Sequence, residues 1–125
     1  MTRVNTPTIL IVDDESYILE MLKDQLAYYG YCIITACGGK EALQKADELK
    51  QIDILLTDIT MPYINGIELA KKFNKLFPET KIFFMSEYTF PSLNINELLE
   101  ENHVVFEKPF SIDRLNSEFS KVLTN

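Results

Sequence analysis

Five short apolar runs divide the chain, and amphipathic stretches fill the intervals between them. Ile9–Val12, Tyr31–Ile34, Ile54–Leu56, Ile82–Met85 and Val104–Phe106 are near-continuous instead of alternating. That is the pattern of parallel strands covered on both faces. Ile18, Leu19, Leu22 and Leu26 recur at helical spacing, and Gly30 is placed to close that helix as a C′ residue. Ala42, Leu43, Ala46 and Leu49 make a second stripe; Leu69, Ala70, Phe73, Leu76 and Phe77 make a third, stopped by Pro78. Ile112, Leu115, Phe119, Val122 and Leu123 make the last, with Ser111 as its N-cap. The stretch from Glu87 to Asn102 is the weak one. Pro91, Ser92, Asn94 and Asn96 interrupt it, only Ile95–Glu101 favours a helix, and a short or mobile element is expected.

This β-α alternation, joined by right-handed crossovers, predicts an α/β fold: a doubly wound, five-stranded parallel sheet with helices on both faces. At 125 residues the chain makes one domain, 1–125, with no linker or repeat and no room for an output domain. Its 46% hydrophobic and 25% charged residues are those of an ordinary globular protein. A net charge of −7 argues against direct nucleic-acid or anionic-membrane binding, since both need basic patches. No apolar stretch approaches a membrane span, and Met1–Pro7 lacks the apolar region of a signal peptide. Cys32 and Cys37 are too few for a disulfide framework or a zinc site, and read as reduced, structural thiols of a cytoplasmic protein.

The polar residues that follow the strands carry the chemistry. Asp13 and Asp14 follow the first, Asp58 the third, Ser86 the fourth and Lys108 the fifth. In a parallel sheet these ends share one edge, so residues distant in sequence converge there. Taken singly, the aspartates read as caps or turn residues, Ser86 as a capping hydroxyl and Lys108 as a solvated lysine. Capping and turns do not require them all at one sheet edge. Clustered carboxylates repel unless a cation intervenes, and Mg²⁺ suits such all-oxygen ligands. Asp58 is then placed to attack phosphorus, with the metal and Lys108 neutralising charge on the transferring oxygens.

Ile11-Val12-Asp13-Asp14-Glu15, Asp58-x-x-Met61-Pro62-x-x-x-Gly66, Ser86 and Lys108-Pro109-Phe110 together resemble the receiver domain of two-component response regulators. The resemblance covers essentially the whole chain, in matching order and spacing, and implies the flavodoxin-like strand order 2-1-3-4-5. It further implies that Asp58 is the phosphoacceptor and that Asp13 and Asp14 hold Mg²⁺ with Asp58, Asp13 through water. The Thr60 backbone carbonyl would be another metal ligand. Ser86 would hydrogen-bond the phosphoryl oxygen, Lys108 would pair with the phosphoryl group, and the Lys108–Pro109 bond would be cis. The donor would be a histidine kinase or histidine phosphotransfer protein. A downstream effector would read the face made by the fourth helical segment, fifth strand and last helix, where Phe90, Leu93 and Ile95 also lie.

Three positions depart from that family's pattern. Glu87 stands after the switch hydroxyl, where a small residue is usual. Val105 occupies the position of an aromatic that swings inward on activation, and alternation aims the neighbouring Phe106 at the opposite face. Asn102-His103 replaces the frequent Gly-Ala before the fifth strand, and His103 reads as an exposed loop residue. Tyr88, two beyond the hydroxyl, is bulky enough to predict slow loss of the phosphoryl group. The alternative is a non-phosphorylated interaction module of the same fold, its switching eroded at Glu87 and Val105. A flavodoxin-like electron carrier is disfavoured because Asp13-Asp14-Glu15 would repel a flavin phosphate. A phosphoaspartate hydrolase is disfavoured because Asp58-Ile59-Thr60 lacks the second aspartate of Asp-x-Asp.

Overall fold

The strands β1 (Thr8–Val12), β2 (Cys32–Ala36), β3 (Ile54–Asp58), β4 (Lys81–Ser86) and β5 (Val104–Glu107) pair in parallel, in the order β2-β1-β3-β4-β5. The computed structural model describes residues 6–87 and 103–123. Within these, α1 (Ser16–Ala27), α2 (Gly39–Leu49), α3 (Gly66–Leu76) and a C-terminal helix (Ile112–Leu123) cover the sheet. This is the expected doubly wound α/β architecture.

Alternation along each strand divides the core between the two faces. Ile9 and Ile11 of β1 pack with Leu19, Leu22 and Leu26 of α1 and with Leu115 and Phe119 of the C-terminal helix. Leu10 and Val12 pack on the other side with Ala42 and Ala46 of α2 and Leu69 and Phe73 of α3. Because both faces are covered, the central strands bury residues in unbroken succession. Asn65 starts α3 with a reciprocal capping box: its side chain accepts the Glu68 N–H, and the Glu68 carboxylate accepts the Asn65 N–H. Ser111 caps the C-terminal helix as expected, its Oγ accepting the Arg114 N–H at 3.3 Å.

Several local expectations differ from the fold. β2 runs from Cys32 to Ala36, not from Tyr31 to Ile34, because this edge strand takes its register from β1, with Thr8 opposite Cys32 and Val12 opposite Ala36. Helix α1 ends at Ala27 with Tyr28 as C-cap, so Gly30 lies one residue beyond C′, where it takes φ +91° in the turn into β2. Leu76 closes α3 pointing largely into solvent. His103 is half-buried, its ring edge-on to Phe84 at 5.6 Å, so it is not an exposed loop residue. Cys32, the first residue of β2, and Cys37, directly after its last, are free thiols as expected, and both are exposed. Five extended residue steps separate them by roughly 16 Å, too far for a disulfide. The weak helical segment expected after Glu87, with Tyr88, Phe90, Leu93, Ile95 and Asn102, lies outside the described residues.

Candidate phosphoacceptor site

The strand register delivers the polar residues to one edge. Val12 pairs with Thr57, so Asp13 comes level with Asp58, the last residue of β3. Asp58 pairs with Met85, which puts Ser86 one rung further along, and Ser86 pairs with Glu107, just before Lys108. All five sequence-predicted side chains therefore reach the same end of the sheet, and Thr60 lines the crevice beside Asp58.

Asp13 is not a helix cap, since Glu15 holds the N-cap position of α1. It is wholly buried, and each of its oxygens has a partner. Oδ1 accepts the Glu15 N–H at 2.9 Å, and Oδ2 accepts from the Lys108 ammonium at 2.7 Å. The same ammonium stands 3.6 Å from Asp58 Oδ2. One carboxylate oxygen from each of Asp13, Asp14 and Asp58 lies within 4.8 Å of the others. An all-oxygen, triply anionic set this close is the donor set of a hard divalent cation, so Mg²⁺ fits the residues present.

Burial pushes the Asp58 carboxyl up to about 6; the Lys108 charge opposes this, Asp13 and Asp14 add to it, and a hydrogen bond from the Thr60 N–H opposes it. Burial works against the Lys108 ammonium, but its hydrogen bond to Asp13 and the charges of Asp58, Asp13 and Glu87 outweigh that and raise its pKa. Ser86 is 6% exposed at the end of β4, and its carbonyl accepts the Lys108 N–H at 2.7 Å. The Lys108–Pro109 bond is cis, as the family resemblance implies.

Backbone packing holds Asp58 in place. The Ile59 N–H donates to Met85 at 3.0 Å and the Gly66 N–H to Ile59 at 2.8 Å. A Cβ on Gly66 would overlap the Asp58 carbonyl oxygen, which gives the Asp58–Gly66 spacing a steric reason. Tyr63 takes φ +69° in the same loop, with its ring fully exposed.

The departures are placed as follows. Glu87 is exposed and lines a crevice of about 250 Å³ together with Asp14, Glu15, Asp58 and Thr60. Val105 packs with Ile59, Ala70 and Phe84, whereas Phe106 lies wholly buried on the opposite face, the Arg114 guanidinium 5.0 Å from its ring centroid. Phe106 therefore does not stand in for the missing aromatic. In the sequence Glu15 counted only as part of the acidic motif that opens α1, and Tyr17 had no role. The Tyr17 hydroxyl donates to Glu15 Oε2 at 3.1 Å, which raises the Tyr17 pKa, and both residues line a hollow of about 540 Å³ beside the crevice. The two-residue spacing behind the aspartate pair was the available signal.

Among the described residues, no helix is long and apolar enough to cross a membrane. A family model described as a response regulator receiver domain matches residues 9–120. The chemotaxis protein CheY of Thermotoga maritima is 36% identical over 115 residues, covering 91% of this chain and 95% of its own. The response regulator receiver protein CpdR of Brucella abortus is 31% identical over 115 residues, covering 92% and 95% respectively. Among solved structures, the response regulator protein TrrA of Thermotoga maritima, in complex with Mg(2+)-BeF, matches with a TM-score of 0.80 at 34% identity. That alignment covers 94% of this chain and 99% of TrrA.

Proposed function

This chain belongs to the response regulator receiver domain family, and from that premise we propose that Asp58 accepts a phosphoryl group from a histidine of a partner kinase or histidine phosphotransfer protein. The observation that carries the reading is the Asp58 carboxylate, buried at a strand end within 4.8 Å of two further carboxylate oxygens and 3.6 Å from Lys108. An Asp58 oxygen bonds to phosphorus as the P–N bond of the phosphohistidine breaks, and the imidazole leaves with the electron pair. Lys108 neutralises charge on the transferring oxygens, and the Ser86 hydroxyl donates to one of them once transfer is complete. Asp13, Asp14, Asp58 and the Thr60 carbonyl are the groups that would hold Mg²⁺, Asp13 through water. The ion would supply positive charge to the phosphoryl oxygens. A relative crystallised with Mg(2+)-BeF supports that choice of cation.

On this reading the protein is an acceptor and not an enzyme acting on a separate substrate. It gains and later loses one phosphoryl group, and the change is passed to an effector through the face that includes β5 and the C-terminal helix. Residues 1–125 act as one receiver domain, and a cytoplasmic location goes with the role. Incubation with a small phosphodonor or the partner kinase in the presence of Mg²⁺ tests it. The expected result is a mass gain of one phosphoryl group that Asp58→Asn abolishes. No gain from either source overturns the reading in favour of a non-phosphorylated interaction module.

A further inference from the structure

We propose, resting on the acceptor role of Asp58, that Glu15 and Glu87 form an acidic rim that selects phosphodonors by charge. Small dianionic donors are disfavoured, and a phosphohistidine presented on a cationic protein surface is admitted. Two hollows meet at this edge of the sheet. One is the acidic crevice over Asp58; the other is the larger, mostly apolar hollow lined by Tyr17, Ile18, Met21, Pro109 and Phe110. Glu15 and Glu87 are the residues common to both linings, so they stand on the ridge between them.

Neither carboxylate is placed at random. The Glu15 backbone is held by Asp13 at 2.9 Å and its carboxylate by the Tyr17 hydroxyl at 3.1 Å. Glu87 leaves the end of β4 directly after buried Ser86, and its charge is felt at both Lys108 and Tyr17. Lys108 is the cation among the lining residues, and it is already committed to Asp13 at 2.7 Å. Asp13, Asp14, Asp58, Glu15 and Glu87 thus face one ammonium, and a divalent cation in the crevice still leaves negative charge in excess. A free dianion approaching this edge is repelled. A donor that brings lysine or arginine beside its phosphohistidine cancels the repulsion at the rim as it docks. The rim thereby insulates Asp58 from free acyl phosphates without blocking its partner.

The test uses the full chain, with glutamine in place of each glutamate to remove charge while keeping bulk. Rates of Asp58 phosphorylation are measured by mass for the wild type, Glu15→Gln, Glu87→Gln and the double variant. The donors are acetyl phosphate, a dianion, and phosphoramidate, a monoanion, at matched pH, Mg²⁺ and ionic strength. With the first, the bond from phosphorus to the acetyl oxygen breaks and acetate leaves; with the second, the P–N bond breaks and ammonia leaves. Each substitution is expected to raise the acetyl phosphate rate about 3- to 10-fold, and the phosphoramidate rate by distinctly less. Added salt should speed the wild type with acetyl phosphate, and should do so less in the double variant. A donor ratio and salt response unchanged in the double variant overturn the rim, as does an equal rise with both donors. Failure of every protein to take phosphate from both small donors and from the partner kinase instead overturns the acceptor role itself.

Discussion

Gly66 lies flat against the backbone of Asp58: a Cβ there would overlap the Asp58 carbonyl oxygen and stand 2.9 Å from the Ile59 Cα. The first residue of α3 and the last of β3 are thus packed backbone to backbone, with the Gly66 N–H donating to Ile59. Gly66→Ala should cost about 2–4 kcal/mol, because neither neighbour is a flexible side chain that can yield. Urea denaturation measures this, and a midpoint equal to wild type would show that the loop relaxes freely.

The Lys108–Asp13 pair makes a second expectation. Removing the ammonium leaves a wholly buried carboxylate without its cation. Lys108→Met should lower stability without metal by about 3 kcal/mol, since a broken buried pair strands its partner charge. It should also raise Mg²⁺ affinity by about tenfold, because one positive charge no longer competes for the site. Metal titration followed by thermal unfolding reads both changes, and unchanged values would remove the pair as the brace of the acidic cluster.

Asp58 sets a pH dependence for the metal-free protein. Its carboxyl is pushed up to about 6, chiefly by burial, so the native state holds this proton more tightly than the unfolded chain. The contribution is complete below about pH 4 and is lost as pH rises to about 6, amounting to at most about 3 kcal/mol. Asp58→Asn should abolish that loss and be the more stable protein at pH 7. Parallel pH dependences of the two proteins, in denaturant midpoints from acid to neutral, would contradict it.

Tyr63 holds a left-handed backbone at φ +69° with its ring in solvent, so no packing offsets the cost. Tyr63→Gly should stabilise the domain by about 0.5–1 kcal/mol, the relief of the left-handed backbone being partly cancelled by the added freedom of the unfolded chain. A loss of stability, read by thermal unfolding, would mean that the ring contributes more than its exposure indicates.

Residue order alone settles the fold class and most of the elements. The apolar runs are near-continuous because both faces of the sheet are covered, so the strands show in any window along the chain. Alternation was enough to send Val105 and Phe106 to opposite faces. The five polar residues could be assigned to one edge because parallel strands all end there. Edge strand β2 was misplaced because its limits come from its pairing with β1, which no local pattern records. The half-burial of His103 against Phe84 was hidden for the same reason.

Three-dimensional packing settles which charges meet. Lys108 is bound to Asp13 across 95 positions of sequence, at 2.7 Å, and stands further from Asp58. Glu15 and Glu87 lie on one ridge because α1 starts beside the end of β4, although the chain separates them widely. Charge acts through space at distances of a few ångströms, whereas residue order constrains only what is bonded or periodic. The convergence of these polar residues on one sheet edge was therefore written in the sequence, and the field around Asp58 was not.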